Sequence, residues 1–125
     1  MGKDTWPIEG GVFDWLERNK VGWDNMGEQL ANIGNDKDYG MSGFVSTSTV
    51  QPDTTLACYL GVRARVMCNL KPFTYMWLPN DHTFGGAAKK PNPGLMIAVN
   101  DEATGMILDA LSHSPVWKST LFVVV

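Results

Sequence analysis

Asn80, Asp81, His82 and Thr83 follow one another directly after an aromatic-rich apolar segment that ends at Pro79. An imidazole titrates near neutral pH, so His82 beside a carboxylate suits a phosphate contact, a metal ligand or a proton donor. Asn80 and Thr83 make the loop rich in donors and acceptors. The same pattern also fits a loop histidine that fixes its turn by hydrogen bonding, and the residue types alone leave these readings open. The other histidine, His113, falls in the last turn of an expected helix, where its charge would interact favourably with the helix dipole and its ring could bond the last carbonyls. Asp101 and Asp109 read as carboxylates on the solvated side of that helix.

The remaining reactive groups make weaker signals. Cys58 and Cys68 are the two cysteines, and without a neighbouring histidine they cannot supply the four ligands of a structural zinc site. They read as small half-buried hydrophobes, with a disulfide as the alternative. Gly85-Gly86 lacks the spacing of a P-loop or a dinucleotide fingerprint.

Charge and composition narrow the partners. The 125 residues carry 10 Lys and Arg against 13 Asp and Glu, a net charge of -3. The single basic pair Lys89-Lys90 gives no field for a phosphate backbone, so nucleic acid is not an expected partner. No apolar run approaches the ~18 residues that a membrane span needs. The opening Met1–Pro7 is not followed by the apolar stretch of a signal peptide, so the chain gives no address of its own. With 44% hydrophobic and 18% charged residues, it has a globular composition and room for one domain at most.

The elements that must position Asn80–Thr83 are read from periodicity. Val12, Trp15, Leu16 and Asn19 share one face of a short amphipathic helix that stops near Gly22. A brief strand over Val21–Trp23 leads to a turn at Asn25–Glu28. Residues 31–55 lack any sustained period and read as a long connection. Asp53 or Thr54 is a candidate cap for a helix over Leu56–Asn69, which Gly61 weakens and Pro72 ends. Residues 73–78 predict a strand buried on both faces. Asn92-Pro93 is a helix start, because Asn caps and Pro fits the first turn. The helix is expected to run to about Leu111, with Leu95, Val99, Ala103, Met106 and Ala110 as its core stripe and Pro115 blocking continuation. Residues 121–125 predict a second buried strand. Strand, loop, helix and strand over residues 73–125 predict a parallel βαβ unit. The chain stops within the second of those strands, which reads as a cut at the C-terminus.

Several strings then carry a resemblance. LPNDHT from Leu78 to Thr83, the Gly-rich loop with Pro91 and Pro93, and NDEATGMILDALSHSPVWKSTLFVVV from Asn100 to Val125 resemble the phosphoesterase family of bacterial acid phosphatases and phospholipase C enzymes, within the alkaline-phosphatase superfamily. In that family a strand ends in a similar LPNDHT, a helix carries an NDxAxG-like stretch and ends in SHSPxW, and a strand resembling TxIFVxxEDD follows. The likeness is specific over residues 78–125. Upstream it is looser: VGWDNMGE resembles a family segment with a YGE-like turn, and residues 31–72 match weakly.

The resemblance implies an α/β fold, one partial domain over residues 1–125 of a three-layer α/β/α alkaline-phosphatase-like architecture. It implies hydrolysis of phosphate esters with divalent metal. His82 and Asp81 would stand at the active-site edge as catalytic groups, with Asn80 and Thr83 binding substrate. The family's acidic metal-binding pair would follow Val125, and its nucleophile and earlier metal ligands would precede Met1. This chain by itself is therefore expected to bind no metal and to be inactive. A second expectation is a non-catalytic binding or assembly module that self-associates through exposed sheet edges. The parent family is often exported.

Overall fold

The structure, a computed structural model, describes residues 10–26, 53–64 and 70–125. Among them are three α-helices and a two-stranded parallel sheet, a mixed α/β arrangement. The chain divides into two compact units: Met1–Val45 with Lys71–Trp77, and Ser46–Leu70 with Leu78–Val125.

In the first unit, helix α1 spans Val12–Arg18, strand β1 Trp23–Met26 and strand β2 Phe73–Met76. The Gly11 N–H donates to Asp14 Oδ2 at 2.8 Å, which satisfies one of the donors that a helix start leaves over. Asn19 ends α1, and its Nδ2 donates to the Trp15 carbonyl at 2.8 Å. The buried face differs from the expected one. Phe13 and Leu16 are buried, whereas Val12 and Trp15 are about half exposed. The aromatic side chains of the strands select that face: Phe13 packs edge-on against Trp23 at 4.9 Å, Phe73 at 6.0 Å and Tyr75 at 6.1 Å, in the geometry that aromatic quadrupoles favour.

The strands pair in parallel, Trp23 opposite Phe73 and Met26 opposite Met76. This corrects the expected pairing of residues 73–78 with 120–125. Residues 121–125 join no ladder among the described residues, and Leu121 is 86% exposed. A short apolar run is compatible with a strand but becomes one only where a partner satisfies its backbone groups. Among the described residues the C-terminal βαβ unit is thus not formed, and the parallel pair joins β2 to a strand far earlier in the chain. β1 also extends through Asn25 and Met26, where a turn was expected; residues 27 and 28 lie outside the described residues. β2 stops at Met76, and its four residues are half-buried rather than covered on both faces.

In the second unit, helix α2 spans Asp53–Val62 and helix α3 Pro93–Ser112, with a 3₁₀ turn at Pro79–His82 between them in sequence. The expected connection over 31–55 therefore ends in helix at Asp53, and its residues 31–52 lie outside the described ones. Residues 65–69 of the expected second helix, Cys68 included, also lie outside. Cys58 is exposed with a free thiol, not half-buried.

Leu56, Ala57 and Leu60 of α2 are buried, as are Met96, Ala103, Ile107, Ala110 and Leu111 of α3. The two helices pack together. A Cβ added at Gly61 would stand 3.3 Å from the Ala110 Cβ, so Gly61 marks their close approach. The core stripe of α3 is rotated from the expected one: Leu95 is 60% exposed and Met106 lies at the surface, while Met96 and Ile107 point inward. The start of α3 is as read from the sequence. Asn92 Oδ1 accepts the Gly94 N–H at 2.8 Å, with Pro93 in the first turn.

Candidate functional site

Asp53, the first residue of α2, is 1% exposed. Burying a carboxyl is costly unless donors surround it, and two neighbouring segments supply them. The Asn80 backbone N–H and Asn100 Nδ2 each donate to Asp53 Oδ2 at 3.0 Å. In return, the Asp53 backbone N–H donates to Asn80 Oδ1 at 2.8 Å. Asn100 Nδ2 also donates to the Leu78 carbonyl at 2.8 Å. The start of α2, the middle of α3 and the Pro79–His82 turn are tied by this one polar cluster.

Asp53 Oδ1 is buried and has no hydrogen-bond partner among the described residues. Desolvation raises the Asp53 pKa above its ordinary value of 3.8; the bonds from Asn100 and Asn80 pull it down, and the nearby charge of Asp81 pushes it up. Burial prevails because only one carboxylate oxygen receives donors.

The cluster divides the four residues singled out from the sequence. Asn80 is buried and locked, whereas Asp81 and His82 on the same turn are exposed. Thr83 closes the turn: its N–H donates to the Asn80 carbonyl at 3.1 Å and its Oγ1 accepts the Gly85 N–H at 3.2 Å. Its φ of 52° lies in the left-handed region, where a β-branched residue carries strain of about 1–3 kcal/mol. Beyond it, Lys90 Nζ sits 4.5 Å from the centroid of the Phe84 ring.

His113 lies at the end of α3 and contacts the last turn, as its position suggested. Its Nδ1 lies 2.9 Å from the Asp109 carbonyl and 3.2 Å from Asp109 Oδ1. Asp101 and Asp109 are exposed on the solvated side of α3.

Sequence reading missed the roles of Asp53 and Asn100. Asp53 reads as a simple helix cap, and Asn100 as one polar residue among several. The available signal was spacing: Met96, Asn100, Ala103, Ile107 and Ala110 recur at intervals of three and four, which places an amide on an apolar stripe.

Among the described residues no group of three or more His, Cys, Asp or Glu could hold a metal ion. Asp81 and His82 are sequence neighbours, but two side chains do not make a centre for zinc or for a harder divalent cation. The described residues thus do not fit a self-contained divalent-metal site. None of their helices is long and apolar enough to cross a membrane.

Comparison with known proteins finds no family model that matches the chain, and no curated protein or solved structure that is significantly similar to it.

Proposed function

We propose that the chain is part of a phosphoesterase that hydrolyses phosphate esters with divalent metal, and that the Pro79–His82 turn contributes one edge of its active site. The observation that supports this most is the division within the turn: Asn80 is anchored in the core while Asp81 and His82 face solvent from a fixed backbone. A mobile imidazole would lose most of the advantage of general acid catalysis, which depends on holding the proton donor within hydrogen-bond reach of the leaving oxygen. His82 is the group assigned to that oxygen or to a phosphate oxygen. Asp81 stands beside it, and Asn80 and Thr83 set the substrate edge. The finer fold belongs to the same proposal: the helices and parallel strands are a portion of a three-layer α/β/α sheet. The metal would be held by residues outside the described ones, and substrate identity is left to the pocket that they complete.

The test is the coding sequence after Val125. An acidic Glu-Asp-Asp-like run within the first codons is expected, since the strings from Asn100 onward resemble the family in order. A stop codon or unrelated residues would remove the proposal.

A second reading, an assembly module, draws on the exposure of Leu121, Val123 and Val124. An apolar run of this kind is a template for pairing with another chain. Size-exclusion chromatography separates the two readings, since a monomer at all concentrations would count against the module.

A further inference from the structure

The Asp53 cluster does more than fill space, because all its bonds but the one from Asn100 to Asp53 end on the segment that carries the exposed pair. Asn100 Nδ2 holds the Leu78 carbonyl, and Asp53 holds the Asn80 N–H while its own N–H holds Asn80 Oδ1. Leu78 is the residue before the 3₁₀ turn and Asn80 is its second residue. Asp81 and His82 follow at once.

A four-residue turn has little stability of its own, since fixing each backbone residue costs roughly 1–2 kcal/mol in conformational entropy. The anchoring bonds offset that loss where the exposed side chains need a fixed direction. An apolar residue at position 53 would avoid burying a carboxyl of which one oxygen has no partner among the described residues. An arrangement that keeps such a group is better suited to setting a direction than to adding stability.

We propose that Asp53 and Asn100 are positioning residues, which act through Asn80 and Leu78 to hold Asp81 and His82 in one orientation toward a phosphate ester. This rests on the phosphoesterase reading for the identity of the ester, but not for the existence of the clamp. Asp53 does not touch substrate in this scheme; its carboxyl faces Asn80 and Asn100, and Asp81 is the charged neighbour on the turn.

The experiment is amide hydrogen exchange by NMR on the full chain, with no substrate present. It compares the wild type with Asp53→Ala, Asn100→Ala and the conservative Asp53→Asn. The His82 ring resonance serves as a second readout. Loss of the bond to a buried carboxyl is expected to speed exchange at the Asn80 N–H by on the order of tenfold or more in Asp53→Ala, whereas Asn100→Ala frees the Leu78 carbonyl but keeps the Asn80 N–H on Asp53 and should change that rate less. The His82 ring signal should broaden or split in both Ala variants. Amides of Ala103 and Ile107 within α3 should keep their protection. Asp53→Asn should restore Asn80 protection, because its amide oxygen can accept the same two donors.

Unchanged Asn80 exchange in Asp53→Ala, or an unchanged His82 ring signal in Asn100→Ala, would overturn the proposal. So would an equal loss of protection throughout α3 that Asp53→Asn does not rescue, since that marks a residue needed only for stability. Should Asp53→Ala fail to fold, the His82 ring signal of Asn100→Ala decides alone, because that variant frees the Leu78 carbonyl while leaving the Asp53 carboxyl and its reciprocal bonds with Asn80 in place. Failure of the phosphoesterase reading would appear instead in the coding sequence after Val125 and would leave these exchange rates as they are.

Discussion

Asp53 concentrates the chemistry that a sequence conceals. A carboxylate at the first position of a helix usually stabilises it by facing the helix dipole from solvent. Here it is buried, and desolvation outweighs its two donors, so its pKa stands above the ordinary 3.8. The folded form therefore holds the proton more tightly than the unfolded chain. The contribution to stability is fully present below pH 3.8 and is lost as pH rises through the folded value. Asp53→Asn removes that dependence. Urea unfolding at pH 4 and pH 7 should show the wild type losing stability relative to Asp53→Asn at the higher pH. A constant difference between the two proteins, or one that shifts the other way, would mean that the carboxyl is ionised as readily inside as outside.

The exposed pair was legible from residue types because Asp81 and His82 are adjacent and polar after an apolar segment. Their support was not, because Asp53 and Asn100 lie 27 residues before and 20 after Asn80 in the numbering, and no local pattern connects them. The buried carboxyl and amide look like any cap and any helix-surface residue until the fold brings them together.

At the scale of elements, capping chemistry carried more information than hydrophobic pattern. The Asn92-Pro93 start of α3 was legible since the side-chain oxygen, the missing proline N–H and the required backbone angles are all local. The faces of α1 and α3 were not, because each sequence offers two overlapping apolar stripes and the choice depends on the partner. Phe13 faces inward because Trp23, Phe73 and Tyr75 provide an aromatic neighbourhood. On α3, Met96 and Ile107 flank the turn that includes Asn100 and face the core with it.

Gly61 shows the same effect. Its low helix propensity argues against an interior helical position, yet the missing side chain lets α2 meet α3 beside Ala110. Gly61→Val is expected to destabilise the protein by roughly 1–3 kcal/mol through overpacking. Chemical denaturation would check it. A neutral or stabilising result would show that Ala110 and its neighbours give way readily, and that propensity rather than packing governs the position.

For the molecule as a whole, parallel pairing was legible as a class but assigned to the wrong strand. Leu121–Val125 has the composition of a buried strand, and composition cannot specify a partner. Trp23–Met26 contains Asp24 and Asn25, both buried in the structure, and polar residues of this kind obscure a strand that apolar content would otherwise reveal. The ladder between β1 and β2 thus joins segments that local reading treats separately, since a parallel pair needs a long connection.

The function proposed for the molecule depends on His82 more than on any other side chain. The most direct test is a phosphatase assay of the product of the whole reading frame with Zn, Mn, Mg and Ca supplied separately, comparing the wild type with His82→Ala and His113→Ala. The account predicts metal-dependent hydrolysis of a generic phosphate ester. It predicts a loss of about 10²-fold or more in kcat for His82→Ala, the scale of a positioned proton donor, and a change within about twofold for His113→Ala, whose ring is engaged at the end of α3. Absence of turnover in the wild type, or equal activity in the wild type and His82→Ala, would contradict it.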